Sequence, residues 1–511
     1  MSDRFDWSPE PALIDVRDEA RARPALEALG ERTWRAALDW LYGEAMRRPM
    51  HALTYPEARA AFFGPTNLPA AAPMSPSPWT DVLQEFRERI APATYNAQHP
   101  GSFSYFTPPP LPSSIAGEML SQWIHQGVDV WHAGPIGTFV EEEVTAWLRD
   151  LIGFGPGGWG VLTSGGVMAN VMAMTVARDV WLAKVRGTGG PPRGADLEGV
   201  RVYASDQSHF SIGRALGVLG FPRETLAIVP SDERFRLQAP PVAEAIERDR
   251  AAGLTPLAIA AVAGSTNTGS VDDTPGLADV AEREGLWLHV DAAYGGAARL
   301  SGRDAHRVPG LERADSVTVD PHKWFFQAYD IGALVVRRRE DLLTTFHDAP
   351  EYYASNRPED EPLNWYQYSF EGTRRFRGLK LWMSWKQLGT GGLGALVEQN
   401  DDLAAYLATR CANEPDLEAV PDEPELSVVC FRHLPEGHER WPDGDLDEYQ
   451  ALLQRALEVS GDAWVSVTTL RGRTFLRAGI VNYLSTEADV DGMIDALRRL
   501  SPGVLAERGI G

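Results

Sequence analysis

The chain has 511 residues, 44% hydrophobic and 23% charged, which excludes a wholly disordered polypeptide and implies two or three packed layers or domains. Lys+Arg is 48 against Asp+Glu 71, so the formal net charge of −23 disfavours a nucleic-acid or anionic-membrane partner. Two cysteines, Cys411 and Cys430, exclude a disulfide framework or a multi-cysteine metal site. Cys430 lies in the apolar run 426–431 and reads as a buried core thiol, in keeping with a reducing compartment.

The opening residues MSDRFDWSPEP have neither a basic nor an apolar region of the kind a signal peptide carries, and no apolar run approaches a membrane span. A cytoplasmic protein is the simplest expectation. Residues 33–46 and 79–90 have helical spacing and flank the proline-rich connector 68–78. Helices this sparse need another surface to pack on, either the rest of the chain or a second subunit. The predicted division is a helical segment over 1–100, a large α/β domain over 101–395 and a smaller α+β domain over 396–511.

In the large domain, short β-type runs alternate with helical stretches. Strands are predicted at 159–162, 201–204, 257–262, 286–290, 317–319 and 333–336, with helices at 167–185, 211–219 and 275–284. Such alternation predicts a mostly parallel sheet, whose strand carboxyl ends are the expected ligand site. Beyond 396, strands are predicted at 426–431 and 475–482. The irregular stretch 348–363 has the length of a lid.

Four features carry chemistry. Lys323, in Asp320-Pro321-His322-Lys323-Trp324, follows a predicted strand. Partial burial there predicts a depressed pKa and the neutral amine that attacks an aldehyde cofactor; the plainer reading is a snorkelling surface lysine. Asp291 ends the run Leu288–Asp291 and either pairs with a protonated pyridine nitrogen or caps the next segment. Small Ala293 lets a flat ring approach the backbone. Thr163-Ser164-Gly165-Gly166 precedes a long helix whose N-terminal N–H groups can hold a phosphate, although strand-to-glycine turns often bind nothing. His209, in Ser205–His209, stacks on an aromatic ring, acts as acid and base, or is simply structural. No HExxH, paired Cys/His spacing or GxSxG nucleophile elbow is present, so no metal is expected.

Together SGGVMAN (164–170), SDQSHFS (205–211), GSTNTGSVDD (264–273), HVDAAYGG (289–296), DPHKW (320–324) and RRFRGLKLW (374–382) resemble the pyridoxal-phosphate decarboxylases of the aromatic-amino-acid and glutamate decarboxylase group. The resemblance covers roughly residues 30–500. It implies the PLP-dependent transferase fold type I, a homodimer with intertwined N-terminal helices, and pyridoxal 5′-phosphate as cofactor. By the same resemblance Lys323 would bind the cofactor aldehyde, Asp291 would pair with the ring nitrogen, and His209 and Ala293 would face the ring from opposite sides. Gly165, Gly166, Val167 and Thr266 would lie along the phosphate or ring, with His322 beside Lys323.

Pro350-Glu351-Tyr352 is similar to the family lid that supplies a catalytic tyrosine; Tyr352 is the expected acid, Tyr353 is adjacent, and the alternative is a tyrosine that only packs the loop. Val167 replaces the family's usual serine, which removes one hydroxyl from the phosphate site. The segment 99–106 resembles the family's substrate-pocket segment and implicates Tyr105, Phe106 and Thr107. Asp129 stands where aromatic-amino-acid enzymes carry an aromatic residue. It either reaches a partner's pocket and favours an amine or indole N–H, or pairs with a nearby cation.

The implied activity is decarboxylation of an L-amino acid, aromatic first. The alternatives are a PLP-dependent aldehyde synthase, against which Tyr352 argues, a decarboxylase of a diamino acid, motivated by Asp129, and an inactive binding protein, against which the intact Lys323, Asp291, His209 and Tyr352 argue.

Overall fold

A computed structural model describes residues 7–51, 53–187, 192–348, 362–442 and 444–508. The chain forms two compact units. One comprises residues 1–105, 435–476 and 484–511, the other 106–434 and 477–483. The helical stretch Gly378–Asn413 is kinked at Gly389, where φ is +65°, and its second part covers residue 396, the expected boundary; residues 396–434 belong to the larger unit.

The larger unit is built on seven strands: β1 (Trp159–Thr163), β2 (Val200–Ser205), β3 (Leu226–Val229), β4 (Thr255–Val262), β5 (Trp287–Asp291), β6 (Ser316–Val319) and β7 (Gly332–Val336). Their order is β1-β7-β6-β5-β4-β2-β3. The pairs β2–β3, β2–β4, β4–β5 and β5–β6 are parallel, and β7 runs antiparallel to both its neighbours. This is the expected α/β architecture of fold type I. Strands β4 to β7 are buried almost throughout, and they read as continuous apolar runs because helices cover both faces of such a sheet. The edge strand β3 escaped the sequence reading because it has four residues and three of them are only partly buried or exposed.

Two buried polar devices are built on the RRFRGLKLW segment, and the first of them holds the end of β1. Arg374 and Glu141 form a buried ion pair, each with 1% of its side chain exposed. Arg374 also donates to the carbonyl oxygens of Val128 and Leu162 and to Ser369 Oγ, each at 3.1 Å, while Glu141 Oε1 accepts from Leu162 N at 3.1 Å. The first arginine of the RRFRGLKLW segment therefore holds the strand that delivers Ser164 and Gly165. Lys380, from the same segment, is wholly buried between Asp330 O and Glu118 Oε2, both at 3.0 Å, and burial pushes its pKa down to about 7.

In the smaller unit the helix Glu19–Trp40 continues into one wide turn, Leu41–Ala45. Arg48 donates to Val459 O at 3.1 Å, at the C-terminal end of the helix Asp445–Ser460, where unpaired carbonyls attract a cation. Tyr449 Oη donates to Ser501 Oγ at 2.8 Å and ties that helix to Glu487–Arg508. Arg48, just beyond the first N-terminal helix, is thus tied to one of the chain's own C-terminal helices.

Candidate active site

Five strand-to-loop transitions meet at the carboxyl ends of the parallel strands. After β1 comes the Ser164–Gly166 turn, after β2 His209, after β4 Gly264 and Thr266, at the end of β5 Asp291, and after β6 Asp320 to Lys323. They enclose a cavity of about 320 Å³ lined by these residues together with Val167, Asn170, Ala293 and Tyr294.

Gly165 has φ +153°, a backbone state that only glycine takes up readily, and a Cβ there would come within 3.0 Å of His322 Cε1. The turn starts the 21-residue helix Gly166–Arg186, whose N-terminus has no side-chain cap. Its first N–H groups therefore face the cavity end without an intrahelical partner, the arrangement that binds phosphate. Ser164 and Val167 both line the cavity at this end.

Asp291 is 6% exposed. Its Oδ2 accepts from Asn170 Nδ2 at 2.7 Å and its Oδ1 from Ala293 N at 3.1 Å. His209 Nδ1 is 2.7 Å from Ser211 Oγ, and burial lowers the pKa of the imidazole, which keeps it neutral near pH 7.

Lys323 departs from expectation. Burial does push its pKa down, but Asp320 Oδ2 at 3.1 Å and the more distant Asp291 outweigh it, and the net shift is upward. The isolated lysine is an ammonium held by Asp320, and the neutral amine predicted from burial alone is corrected. Asp320 stands three residues before Lys323, and only the folded Pro321 turn brings its carboxylate to the amine. His322 Nδ1 accepts from Ile331 N at 3.2 Å, leaving Nε2 as the N–H, 3.6 Å from Asp320 Oδ2. Burial lowers the His322 pKa, and its ring lies 4.8 Å from that of Tyr329.

The predicted substrate residues fall elsewhere. Phe106, Thr107 and Asp129 do not line the cavity of the single chain. Phe106 stacks on Tyr294 with ring centroids 4.1 Å apart, and Tyr294 stacks in turn on Trp324 at 4.8 Å. The Arg477 guanidinium lies 4.7 Å from the Phe106 ring and donates from Nε to Thr266 O at 2.7 Å. Thr107 and Tyr329 share a hydroxyl–hydroxyl bond of 3.1 Å. Tyr105 belongs to the smaller unit, where it packs on Trp464 at 4.8 Å. The Asp129 carbonyl accepts from Tyr366 N at 3.2 Å. Tyr352 and Tyr353 lie outside the described residues.

Asp320, Asn170, Tyr294 and Arg477 were not predicted as site residues. The first three stand inside the motifs that located the site. Nothing in their local sequence reveals which side chains turn inward, and Arg477 joins from a distant strand.

Residues 64–434 match the pyridoxal-dependent decarboxylase conserved domain. This chain belongs to that family. An aromatic-L-amino-acid decarboxylase of Bacillus atrophaeus is 31% identical over 83% of this chain and 86% of its own. A phenylacetaldehyde synthase of Petunia hybrida is 30% identical over 83% and 85%. Among solved structures, Oryza sativa TDC with PLP and tryptamine superposes with a TM-score of 0.85 at 26% identity, covering 94% of this chain and 98% of that one. The decarboxylase described here is accordingly a PLP-dependent enzyme. Its cavity suits that cofactor on three independent grounds: an uncapped helix N-terminus for a phosphate, a buried carboxylate for a ring nitrogen and a lysine amine for an aldehyde.

Proposed function

We propose that this decarboxylase acts on an aromatic L-amino acid and releases its amine and CO₂. The observation that carries the proposal is the convergence of Lys323, Asp291, His209 and the Gly166 helix N-terminus on one cavity. The aromatic class is supported by the names of the relatives above.

When bound, the cofactor supplies an electron sink for the pair released as the carboxylate leaves. In this reading Lys323 Nζ would hold the cofactor through its aldehyde carbon, and Asp291 would pair with the ring nitrogen and favour its protonated form. The N–H groups of Gly166 and Val167, with Gly165 and the Thr266 segment, hold the phosphate and ring edge. Neutral His209 would face the ring from one side of the cavity, and small Ala293 would leave room for it on the other. Asp320 receives the Lys323 ammonium, and His322, with its Nε2–H towards Asp320, steadies that carboxylate. Tyr352 returns a proton to the substrate α-carbon. Phe106 and Thr107 act through Tyr294 and Tyr329. Tyr105 and Asp129 are proposed as substrate-side residues on the resemblance alone.

A homodimer belongs to the same proposal. Met119, Trp123 and Ile124 on the helix Pro112–Ile124, and Trp34 and Tyr42 near the N-terminus, are large apolar residues exposed in the single chain. A cytoplasmic setting is supported by Cys411 and Cys430, both buried as free thiols. Among the described residues no helix is long and apolar enough to cross a membrane.

The test is product analysis of the PLP-loaded enzyme in air with tryptophan, tyrosine, phenylalanine, dopa and 2,4-diaminobutyrate. Amine and CO₂ without peroxide from an aromatic substrate is the expected result. Aldehyde, ammonia and peroxide would make it an aldehyde synthase, and turnover of the diamino acid alone would overturn the aromatic assignment.

A further inference from the structure

Asn170 lies in the first turns of the helix Gly166–Arg186 and is 1% exposed. Its amide uses its full bonding capacity of two N–H donors and two lone pairs. Nδ2 donates to Asp291 Oδ2 at 2.7 Å and to Ser211 Oγ at 2.8 Å. Oδ1 accepts from Thr318 Oγ1 at 2.7 Å and from His289 Nε2 at 3.0 Å.

Only one assignment of protons satisfies this set. An ionised Asp291 can only accept, so the amide nitrogen must face it and the amide oxygen must face Thr318 and His289. His289 then carries its proton on Nε2, and its Nδ1 accepts from the Ser316 hydroxyl at 2.9 Å. Ser316 Oγ in turn accepts from Trp287 Nε1, a group that can only donate, at 2.9 Å. On the other side, Ser211 Oγ accepts from Asn170 and keeps a second lone pair, so the Ser211 backbone decides: its N–H points to His209 Nδ1 at 3.4 Å, which makes Nδ1 an acceptor and brings the Ser211 hydroxyl proton to it at 2.7 Å. The neutral His209 is left with its proton on Nε2. One amide thus reaches both groups proposed to touch the cofactor ring, from a helix, and is itself braced by β5 and β6.

We propose that Asn170 is a positioning residue that sets both the rotation of the Asp291 carboxylate and the tautomer of His209. The proposal rests on the reading of Asp291 as the partner of the ring nitrogen, and the experiment separates the two. Apoenzyme and variants are titrated with PLP and with its 1-deaza analogue, in which carbon replaces the ring nitrogen. Wild type is expected to prefer PLP. Asn170→Ala is expected to reduce that preference by roughly tenfold or more, the range for one hydrogen bond to a charged group, while changing affinity for the analogue by less than about threefold. In ¹⁵N-histidine spectra of the apoenzyme, His209 is expected as the Nε2–H tautomer in wild type and as a mixture in Asn170→Ala.

Equal losses for PLP and analogue, or an unchanged ratio together with an unchanged tautomer, would overturn the proposal. If Asn170→Ala does not fold, two milder variants decide the matter. Ser211→Ala cuts only the His209 arm and is expected to mix the tautomer while keeping the ratio. Thr318→Val removes one donor to the amide and is expected to lower the ratio about threefold; no change in either variant refutes the positioning role. Asp291→Ala is the control: if it keeps the preference for PLP, the reading of Asp291 itself is wrong and the inference falls with it.

Discussion

Replacing Arg374 by Met removes the cation that neutralises Glu141 while keeping most of the side-chain volume. Arg374 donates to Val128 O, Leu162 O and Ser369 Oγ besides its ion pair. Losing these three bonds costs about 2–3 kcal/mol at roughly 1 kcal/mol each. Glu141 is then a buried carboxylate with no counter-ion. It escapes by taking up a proton, and from an ordinary value of 4.5 that costs about 3 kcal/mol at pH 7 but less than about 1 kcal/mol at pH 5. The expected deficit is therefore about 5–6 kcal/mol at pH 7, at the upper end of what breaking a buried pair costs, and about 3 kcal/mol at pH 5.

The sign follows from linkage. Burial already raises the Glu141 pKa in the folded protein, and removing Arg374 raises it further. In the window above 4.5 the folded variant holds a proton that the unfolded chain releases, so stability falls as pH rises through that window. Urea midpoints of the apoenzyme, each compared with wild type at the same pH, measure the deficit. A deficit that stays constant between pH 5 and 7, or grows as pH falls, would refute the account. The double variant Arg374→Met with Glu141→Leu should lose the pH dependence, because no carboxyl remains.

Gly165→Ala should cost about 1–3 kcal/mol and weaken PLP binding, since the residue keeps φ +153° and its Cβ would meet His322; an unchanged melting temperature and PLP affinity would contradict this. Asp320→Asn removes the charge that holds up the Lys323 pKa, so PLP uptake by apoenzyme, followed by absorbance, should reach its half-maximal rate at a lower pH than in wild type; movement to higher pH would show that Asp320 does not govern the amine. His289 is wholly buried and its pKa is pushed down to about 4, so its ¹⁵N spectrum should remain that of a neutral imidazole at pH 5. Because the unfolded histidine takes a proton near 6.5, this residue's contribution to stability is present above that pH and is lost as pH falls towards about 4. An imidazolium signal at pH 5 in the folded protein would break the argument.

The local sequence determined a good deal. Alternating short apolar runs and amphipathic stretches located six of the seven strands of the main sheet, because strands covered on both faces must be apolar throughout. Strand ends followed by glycine, aspartate, histidine and lysine pointed to one side of that sheet, since parallel strands all finish there. Lys323, Asp291, His209 and the Gly165–Gly166 turn were legible for that reason.

Tertiary structure decided what depends on the third dimension. The charge state of Lys323 follows from the balance between burial and Asp320, and that balance is set by an ångström-scale separation that a one-dimensional pattern does not contain. Asn170 is a polar residue on an otherwise apolar helix until β5 and β6 bring Asp291, His289 and Thr318 to its amide from 119 to 148 residues away along the chain. Arg374 is likewise one of several arginines in its segment, and only the fold sets it against Glu141, 233 residues distant. Periodicity records which face of an element is apolar; which polar groups meet is settled by how the elements pack, where each buried donor must find its acceptor.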